Sequence, residues 1–179
     1  MLELSNPIIP AIRKDEEFYT AVSSPASAIF LLKADVMTLK NLLACKQDKK
    51  IFVHIDMAEG VGKDRKGIEL LKSFGVDGII TTKSHLVGCA KELGLYTVQR
   101  FFLIDSVSLN TALECVNNVK PDFVELMPGI IPKAVKNFVK LTDTLIISGG
   151  LIEDKSDVIS VLSAGAYAVS TGKSELWDI

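Results

Sequence analysis

Two stretches near the end of the chain combine residue types suited to holding an oxyanion. Ser148-Gly149-Gly150-Leu151 closes the apolar run Thr144-Leu145-Ile146-Ile147, and Ser170-Thr171-Gly172-Lys173-Ser174 follows Ala168-Val169. Each reads as a short strand ending in small residues whose bare main chain can approach a charged oxygen closely. A single helix separates them, and the second opens a helical turn. Two consecutive strand ends that offer glycine N–H groups make the phosphate cradle carried by closed (β/α)8 barrels after strands seven and eight. Gly149, Gly150, Thr171 and Gly172 are therefore the candidate phosphate contacts, for a phosphorylated small molecule. One glycine junction alone would mean no more than a tight turn; the repeat of the device, at the chain's end, carries the argument.

The other strand-like runs end in polar residues: Arg13, Lys33 with Asp35, His54 with Asp56 and Glu59, Lys83, Gln99 with Arg100, and Glu125. Ligands of parallel α/β folds sit beyond the carboxyl ends of the strands, so these residues ring a candidate pocket. Side chains alternate along a strand, which groups His54 and Asp56 with Phe52, on the face opposite Val53 and Ile55. His54 and Asp56 should then point into the mouth, and the same parity sets Glu125 beside Phe123. Gln99 and Arg100 are adjacent and cannot both lean inward on a regular strand. Arg13, His54, Asp56, Gln99, Arg100 and Glu125 are the candidate pocket residues of this ring, with His54 and Asp56 suited to a ligand hydroxyl or to a catalytic pair. His54, Asp56, Glu59 and Glu125 also form a donor set that suits Mg or Mn, but their spacing does not demand an ion, and no metal or cofactor is assigned.

Gly172-Lys173-Ser174 resembles the end of a nucleotide-binding P-loop. That motif requires a glycine with four residues between it and the Gly-Lys pair, and Tyr167 occupies the position. Lys173 can still add a point charge beside a phosphate. Lys63, Arg65 and Lys66 make the densest basic group in a predicted loop and are the candidate RNA contacts, whereas Lys46, Lys49 and Lys50 belong to the opposite end of the strands.

The elements that must position these residues alternate: apolar strand, polar turn, amphipathic helix, repeated at very roughly twenty residues, the signature of βαβ units and a parallel sheet. Strands are expected near Ile8 to Ile12, Ala28 to Leu32, Ile51 to Asp56, Gly78 to Thr81, Tyr96 to Phe101, Phe123 to Leu126, Leu145 to Ser148 and Ala168 to Thr171. Eight such strands close a (β/α)8 TIM-type barrel. An open doubly wound sheet would show a glycine fingerprint after its first strand, where this chain reads Ile12-Arg13-Lys14-Asp15. Helix starts are expected at Asp15, Ser84, Asp105 with Ser106, and Asp154, and stops at Gly75, Gly94 and Gly165. The first and last helices should be short.

With 179 residues the chain suits one barrel domain over 1–179, well short of the roughly 250 residues such a barrel usually takes. Its helices and loops must be trimmed. A composition of 48% hydrophobic and 23% charged residues is that of a globular protein, and a net charge of -2 argues against a strongly electrostatic nucleic-acid binder. Cys45, Cys89 and Cys115 show no metal-ligand or redox spacing and are expected to be buried thiols. The lack of a signal peptide or long apolar span points to the cytoplasm, with no membrane contact. Trp177 is expected to pack inside, a subunit contact being the alternative.

With these residues in place, the sequence resembles the glycerol-3-phosphate-responsive transcription antiterminators. The resemblance is carried by Pro7 to Arg13 (PIIPAIR), His54-Ile55-Asp56 with Gly60, Ile79 to Ser84 (IITTKS), Gln99 to Phe102 with Asp105, Pro121-Asp122, Glu125 to Pro132, and Gly149-Gly150-Leu151. It runs almost end to end; Lys83 and Ser148 stand where arginine and alanine are expected. It implies a regulator that binds glycerol-3-phosphate, with the ring residues on the glycerol end, and acts on leader mRNA to prevent premature termination, without turnover. A homo-oligomer is left open. The RNA half rests on the resemblance, for the chain holds no RNP-like aromatic pair or KH-type loop. The alternative is an enzyme (phosphodiesterase, isomerase or aldolase) acting on a phosphorylated triose or glycerol ester through Glu125, His54 or Asp56.

Overall fold

The computed structural model describes residues 4–179. Eight parallel strands, β1 (Ile8–Ile12), β2 (Ala28–Leu31), β3 (Lys50–His54), β4 (Gly78–Thr81), β5 (Tyr96–Phe102), β6 (Phe123–Met127), β7 (Leu145–Gly149) and β8 (Ala168–Thr171), pair in sequence order and close into a barrel where β8 meets β1. Seven helices cover it: α1 (Glu17–Ser23), α2 (Val36–Ala44), α3 (Arg65–Ser73), α4 (Ser84–Glu92), α5 (Ser106–Val119), α6 (Pro132–Val139) and α7 (Lys155–Ser163). After β8 a 3-10 turn at Ser174–Leu176 stands in place of an eighth helix, and α1 has only seven residues. The missing eighth helix, together with helices of seven to nine residues everywhere but α5, fits the barrel into this length.

Both faces of every strand are buried, which is why the strands read as continuous apolar runs. The barrel interior is filled by Phe30, Phe52 and Phe123 set against the small Ala11, Ala28 and Ala168. Phe30 and Phe52 lie 5.5 Å apart between ring centres, and a side chain at Gly78 would meet the Phe52 ring at 2.5 Å. A second, larger apolar layer lies between the sheet and the helices. Helix starts follow acidic caps: Asp35 accepts from Met37 N–H, Asp64 from Gly67 N–H, and Asp105 and Asp154 form capping boxes with Ser108 and Asp157.

Several expectations are corrected. The third strand ends at His54, and Ile55–Met57 form a 3-10 turn, so Asp56 lies beyond the sheet. Asp35 caps α2 rather than facing a pocket, while Ser84 is the first residue of α4 rather than its cap. Asp15 does not cap α1, whose cap position is Glu16. Cys45 is exposed and Cys89 and Cys115 are half-buried. Trp177 is buried and its Nε1 donates to the Thr171 carbonyl at 2.9 Å.

Candidate functional site

Strand register assembles the centre of the barrel mouth. Arg100 on β5 and Glu125 on β6 are direct partners across the sheet and share the inward parity of Val98 and Phe123. Arg100 Nε donates to Glu125 Oε2 at 2.6 Å, with side-chain exposures of only 8% and 2%. Ser170, inward on β8, donates from Oγ to Glu125 Oε1 at 2.6 Å. Each carboxylate oxygen thus has a partner, as a buried charge requires. Nε is the part of the Arg100 guanidinium that is hydrogen-bonded among the described residues; its two Nη groups remain for the cavity that Arg100 lines.

That cavity, about 410 Å³, is bounded by Ala11 and Arg13 at the end of β1, Leu32 after β2, Met127 at the end of β6, Gly150 to Glu153 after β7, and Ser170 to Lys173 at and after the end of β8. Its size suits a small-molecule site. Arg13, Arg100 and Lys173 set against Glu125 and Glu153 leave one net positive charge on its walls. The N–H groups of Gly150, Leu151 and Gly172 make no hydrogen bond among the described residues. Gly150 has φ +80° and Leu151 φ +61°, two successive left-handed residues that swing the main chain back over the strand end. Gly149 is needed for a different reason: a Cβ there would lie 2.4 Å from Ser170 Oγ and 2.5 Å from Glu125 Oε1.

Of the expected phosphate residues, Gly150, Thr171 and Gly172 line one cavity wall, in different capacities, while Gly149 lies outside the lining and packs against Ser170 and Glu125. The Thr171 side chain points away from the barrel interior and donates to the Ile152 carbonyl while accepting from Lys173 N–H, so its hydroxyl shapes the turn. Ser170, which sequence reasoning passed over as part of the glycine turn, is the inward hydroxyl. Counting parity from Ala168 would have found it.

Of the ring residues, Gln99 is corrected: it faces outward, fully buried, and its amide nitrogen contacts Ser84 Oγ at 3.0 Å and Cys115 Sγ at 3.2 Å. Asp56 accepts from Thr81 Oγ1, Thr82 N–H and Thr82 Oγ1 at 2.7 to 2.9 Å and ties down the turn after β4. Burial raises its carboxyl pKa, but those three donors and His54 together hold it below the ordinary value. His54 is 6% exposed and neither ring nitrogen makes a well-formed hydrogen bond among the described residues, the Leu32 main chain offering only a weak one; Asp56 Oδ2 stands 3.9 Å from Nε2. Burial and the Arg100 charge push the imidazole down to about 4, against the smaller pull of Asp56 and Glu125. Glu59 pairs with Lys33 at 3.0 Å on the surface. His54, Asp56, Glu59 and Glu125 therefore face different partners, and among the described residues no three metal-ligating side chains gather.

The expected RNA contacts are largely neutralised. Lys63 donates to the Ala58 carbonyl, Arg65 pairs with Glu69 and Glu92, and Lys66 pairs with Glu69 at 2.7 Å. A larger cavity of about 580 Å³ lies at the other end of the barrel, among Tyr96, Lys120, Asp122, Asp143 and Leu145. Asp122 there holds Thr97 N–H and Oγ1 at 2.8 and 2.7 Å, and that end of a parallel barrel is the structural one.

Comparison with known proteins adds an independent line. Residues 8–177 match the family model described as glycerol-3-phosphate responsive antiterminator. The crystal structure of a glycerol uptake operon antiterminator regulatory protein from Listeria monocytogenes superposes with a TM-score of 0.91 at 33% identity, over 97% of this chain and 95% of that one. A glycerol uptake operon antiterminator-related protein from Thermotoga maritima gives a TM-score of 0.86 at 31% identity, over 96% and 98%. The Escherichia coli protein YgcP, itself described as uncharacterized, is 29% identical over 177 residues, 97% of this chain and 93% of that protein.

Proposed function

The chain belongs to the glycerol-3-phosphate responsive antiterminator family, and on that premise we propose that it binds glycerol-3-phosphate in the 410 Å³ mouth and thereby changes its hold on a leader mRNA. The observation that carries the ligand half is a buried guanidinium fixed by Glu125, with two Nη groups left for the cavity, opposite the N–H groups of Gly150, Leu151 and Gly172. The phosphate takes the three N–H groups and the Arg100 fork, an arrangement that is charge-assisted and bidentate. Arg13 and Lys173 supply long-range attraction from the rim. The glycerol end takes the rest of the same cavity, within reach of Arg13 and Glu153; His54 lies outside its lining, with both ring nitrogens buried.

Binding without turnover is favoured by the state of the acid–base candidates. Glu125 is held by Arg100 and Ser170, Asp56 by Thr81 and Thr82, and His54 with a pKa of about 4 is a weak base at neutral pH. For the ligand to act as a signal it must bind the RNA-competent form better than the other; a tenfold change in RNA affinity needs about 1.4 kcal/mol of differential binding.

Thermal unfolding with glycerol-3-phosphate, glycerol and inorganic phosphate tests the pocket. At a hundred times Kd a specific ligand adds about 2.7 kcal/mol, or about 5 to 11 °C in a chain of this size. Glycerol should give no shift. Equal shifts with inorganic phosphate and glycerol-3-phosphate would reduce the site to an anion hole, and leader RNA binding indifferent to ligand would remove the signalling half.

A further inference from the structure

From the distribution of unpaired charge we infer that single-stranded RNA is gripped by α6, with Lys133, Lys136 and Lys140 on its phosphates and an unstacked base in the adjoining groove between α5 and α6. This rests on the RNA half of the proposed function and gives that half a surface.

The three lysines stand at positions i, i+3 and i+7, which places them along one stripe of the helix, while Val135 and Phe138 are buried on the other side. Lys133 and Lys140 are separated by about 10.5 Å along the axis, a row rather than a point charge. All three are exposed, and none of their ammonium groups forms an ion pair or hydrogen bond among the described residues. Residues 128–142 contain no Asp or Glu. Other basic clusters are occupied, Arg65 and Lys66 by Glu69 and Glu92, Lys46 and Lys50 by a shared Asp77, Lys49 by the Ser24 carbonyl; Arg13, Lys14, Lys40, Lys83, Lys120, Lys155 and Lys173 are unpaired too among the described residues, but no three of them follow one another along a single helix face. A phosphate arriving at the occupied clusters must displace a carboxylate or a carbonyl; at α6 it displaces only counterions, which is the favourable source of nucleic-acid affinity.

Beside the lysine row the helix pair opens a groove of about 230 Å³, floored by Leu103, Leu109, Ile131 and Ala134, with Lys133 and Asn137 on its lip. Ile104, 88% exposed, stands at its edge. Asp105 and Ser106 complete the lining, the Asp105 carboxylate being engaged by Ser108 N–H at the start of α5; an apolar slot edged by an amide, an ammonium and a capped carboxylate fits a base turned out of its stack, the form in which RNA sequence is read.

The same helix is wired to the ligand turn. Gly129, in the loop that leads into α6, donates from N–H to the Gly150 carbonyl at 3.0 Å, and a Cβ on Gly129 would lie 2.7 Å from Gly149 N. A ligand that fixes Gly149 to Leu151 therefore bears directly on the chain entering the lysine helix.

The test compares Lys133→Gln/Lys136→Gln/Lys140→Gln with Lys63→Gln/Arg65→Gln/Lys66→Gln. Each protein is titrated, with glycerol-3-phosphate present, onto a fluorescent leader transcript of a glycerol-utilisation operon over a series of KCl concentrations. Because a single strand contributes about 0.7 to the log–log salt slope per phosphate contact, the α6 variant should lose about 2 from the slope. Its affinity should fall at least about tenfold. The α3 variant should keep the wild-type slope, and Lys133→Arg/Lys136→Arg/Lys140→Arg should restore it. Both glutamine variants should keep the thermal shift with glycerol-3-phosphate, which shows them folded. An unchanged slope in the α6 variant, with wild type binding the transcript, overturns this surface alone. Wild type that fails to bind the transcript overturns the RNA half of the proposed function along with it.

Discussion

Exchanging Glu125 for glutamine changes one charge and almost no volume, at the point where the mouth is most tightly built. Glu125 Oε2 accepts from Arg100 Nε at 2.6 Å and Oε1 from Ser170 Oγ at 2.6 Å, with Gly149 packed against both partners of the second bond. An amide can offer one oxygen, so the other donor meets an N–H, and Arg100 is left as a buried cation without its counter-charge. Removing one partner of a buried pair costs about 3 to 5 kcal/mol; with one hydrogen bond retained we expect the lower end, about 3 kcal/mol. In a 179-residue chain that lowers the midpoint of thermal unfolding by about 6 to 12 °C, measured calorimetrically. Replacing both partners, as Arg100→Met/Glu125→Leu, should recover most of the loss, because an apolar pair of similar volume is about as stable as a buried ion pair. The double variant should nonetheless lose the response to glycerol-3-phosphate. A Glu125→Gln midpoint within about 2 °C of wild type, or a double variant as unstable as the single, would refute this account of the pair.

Further predictions follow from neighbouring residues. Gly149→Ala forces a methyl against Ser170 Oγ and Glu125 Oε1; it should cost about 1 to 3 kcal/mol in denaturant titrations and abolish the ligand-induced thermal shift. His54 has a pKa lowered from 6.5 to about 4 in the folded chain, so the unfolded chain binds the proton first. Stability should therefore be full above about pH 6.5 and fall by roughly 3 kcal/mol as pH drops toward 4, a slope that His54→Gln should flatten in denaturation measured across that range. Gln99→Leu, behind the sheet, should leave glycerol-3-phosphate affinity unchanged in calorimetry, whereas Arg100→Met should lower it at least about tenfold. Trp177, the single tryptophan, is bonded to the Thr171 carbonyl, so its fluorescence should change on titration with glycerol-3-phosphate and stay constant with glycerol.

The strands were readable because a parallel sheet covered on both faces needs uninterrupted apolar runs. The stops at Gly75, Gly94 and Gly165 were readable because α3, α4 and α7 end in left-handed residues there. What alternation could decide, it decided in part: it brings Glu125 inward and forbids Gln99 and Arg100 from sharing a side, but it does not say which of them turns in. That choice follows from the register between β5 and β6, which sets Arg100 beside Glu125. Alternation also failed at Asp56, since the chain leaves the sheet after His54 and a 3-10 turn has no two-residue period. Asp35 is expected in the ring of pocket residues although it precedes a helix, where a carboxylate caps the first turn. The neutralisation of Lys66 by Glu69 is local and could be read from spacing. Glu92 reaches Arg65 from the next helix, a contact that only the folded barrel supplies.

The most direct measurement is the electron density of a crystal soaked with glycerol-3-phosphate. The account predicts phosphate oxygens within hydrogen-bonding distance of the Gly150, Leu151 and Gly172 amides and the Arg100 fork, with the glycerol carbons inside the same cavity. A phosphate bound outside that wall, or these turns filled by their own side chains while ligand binds elsewhere, would contradict it.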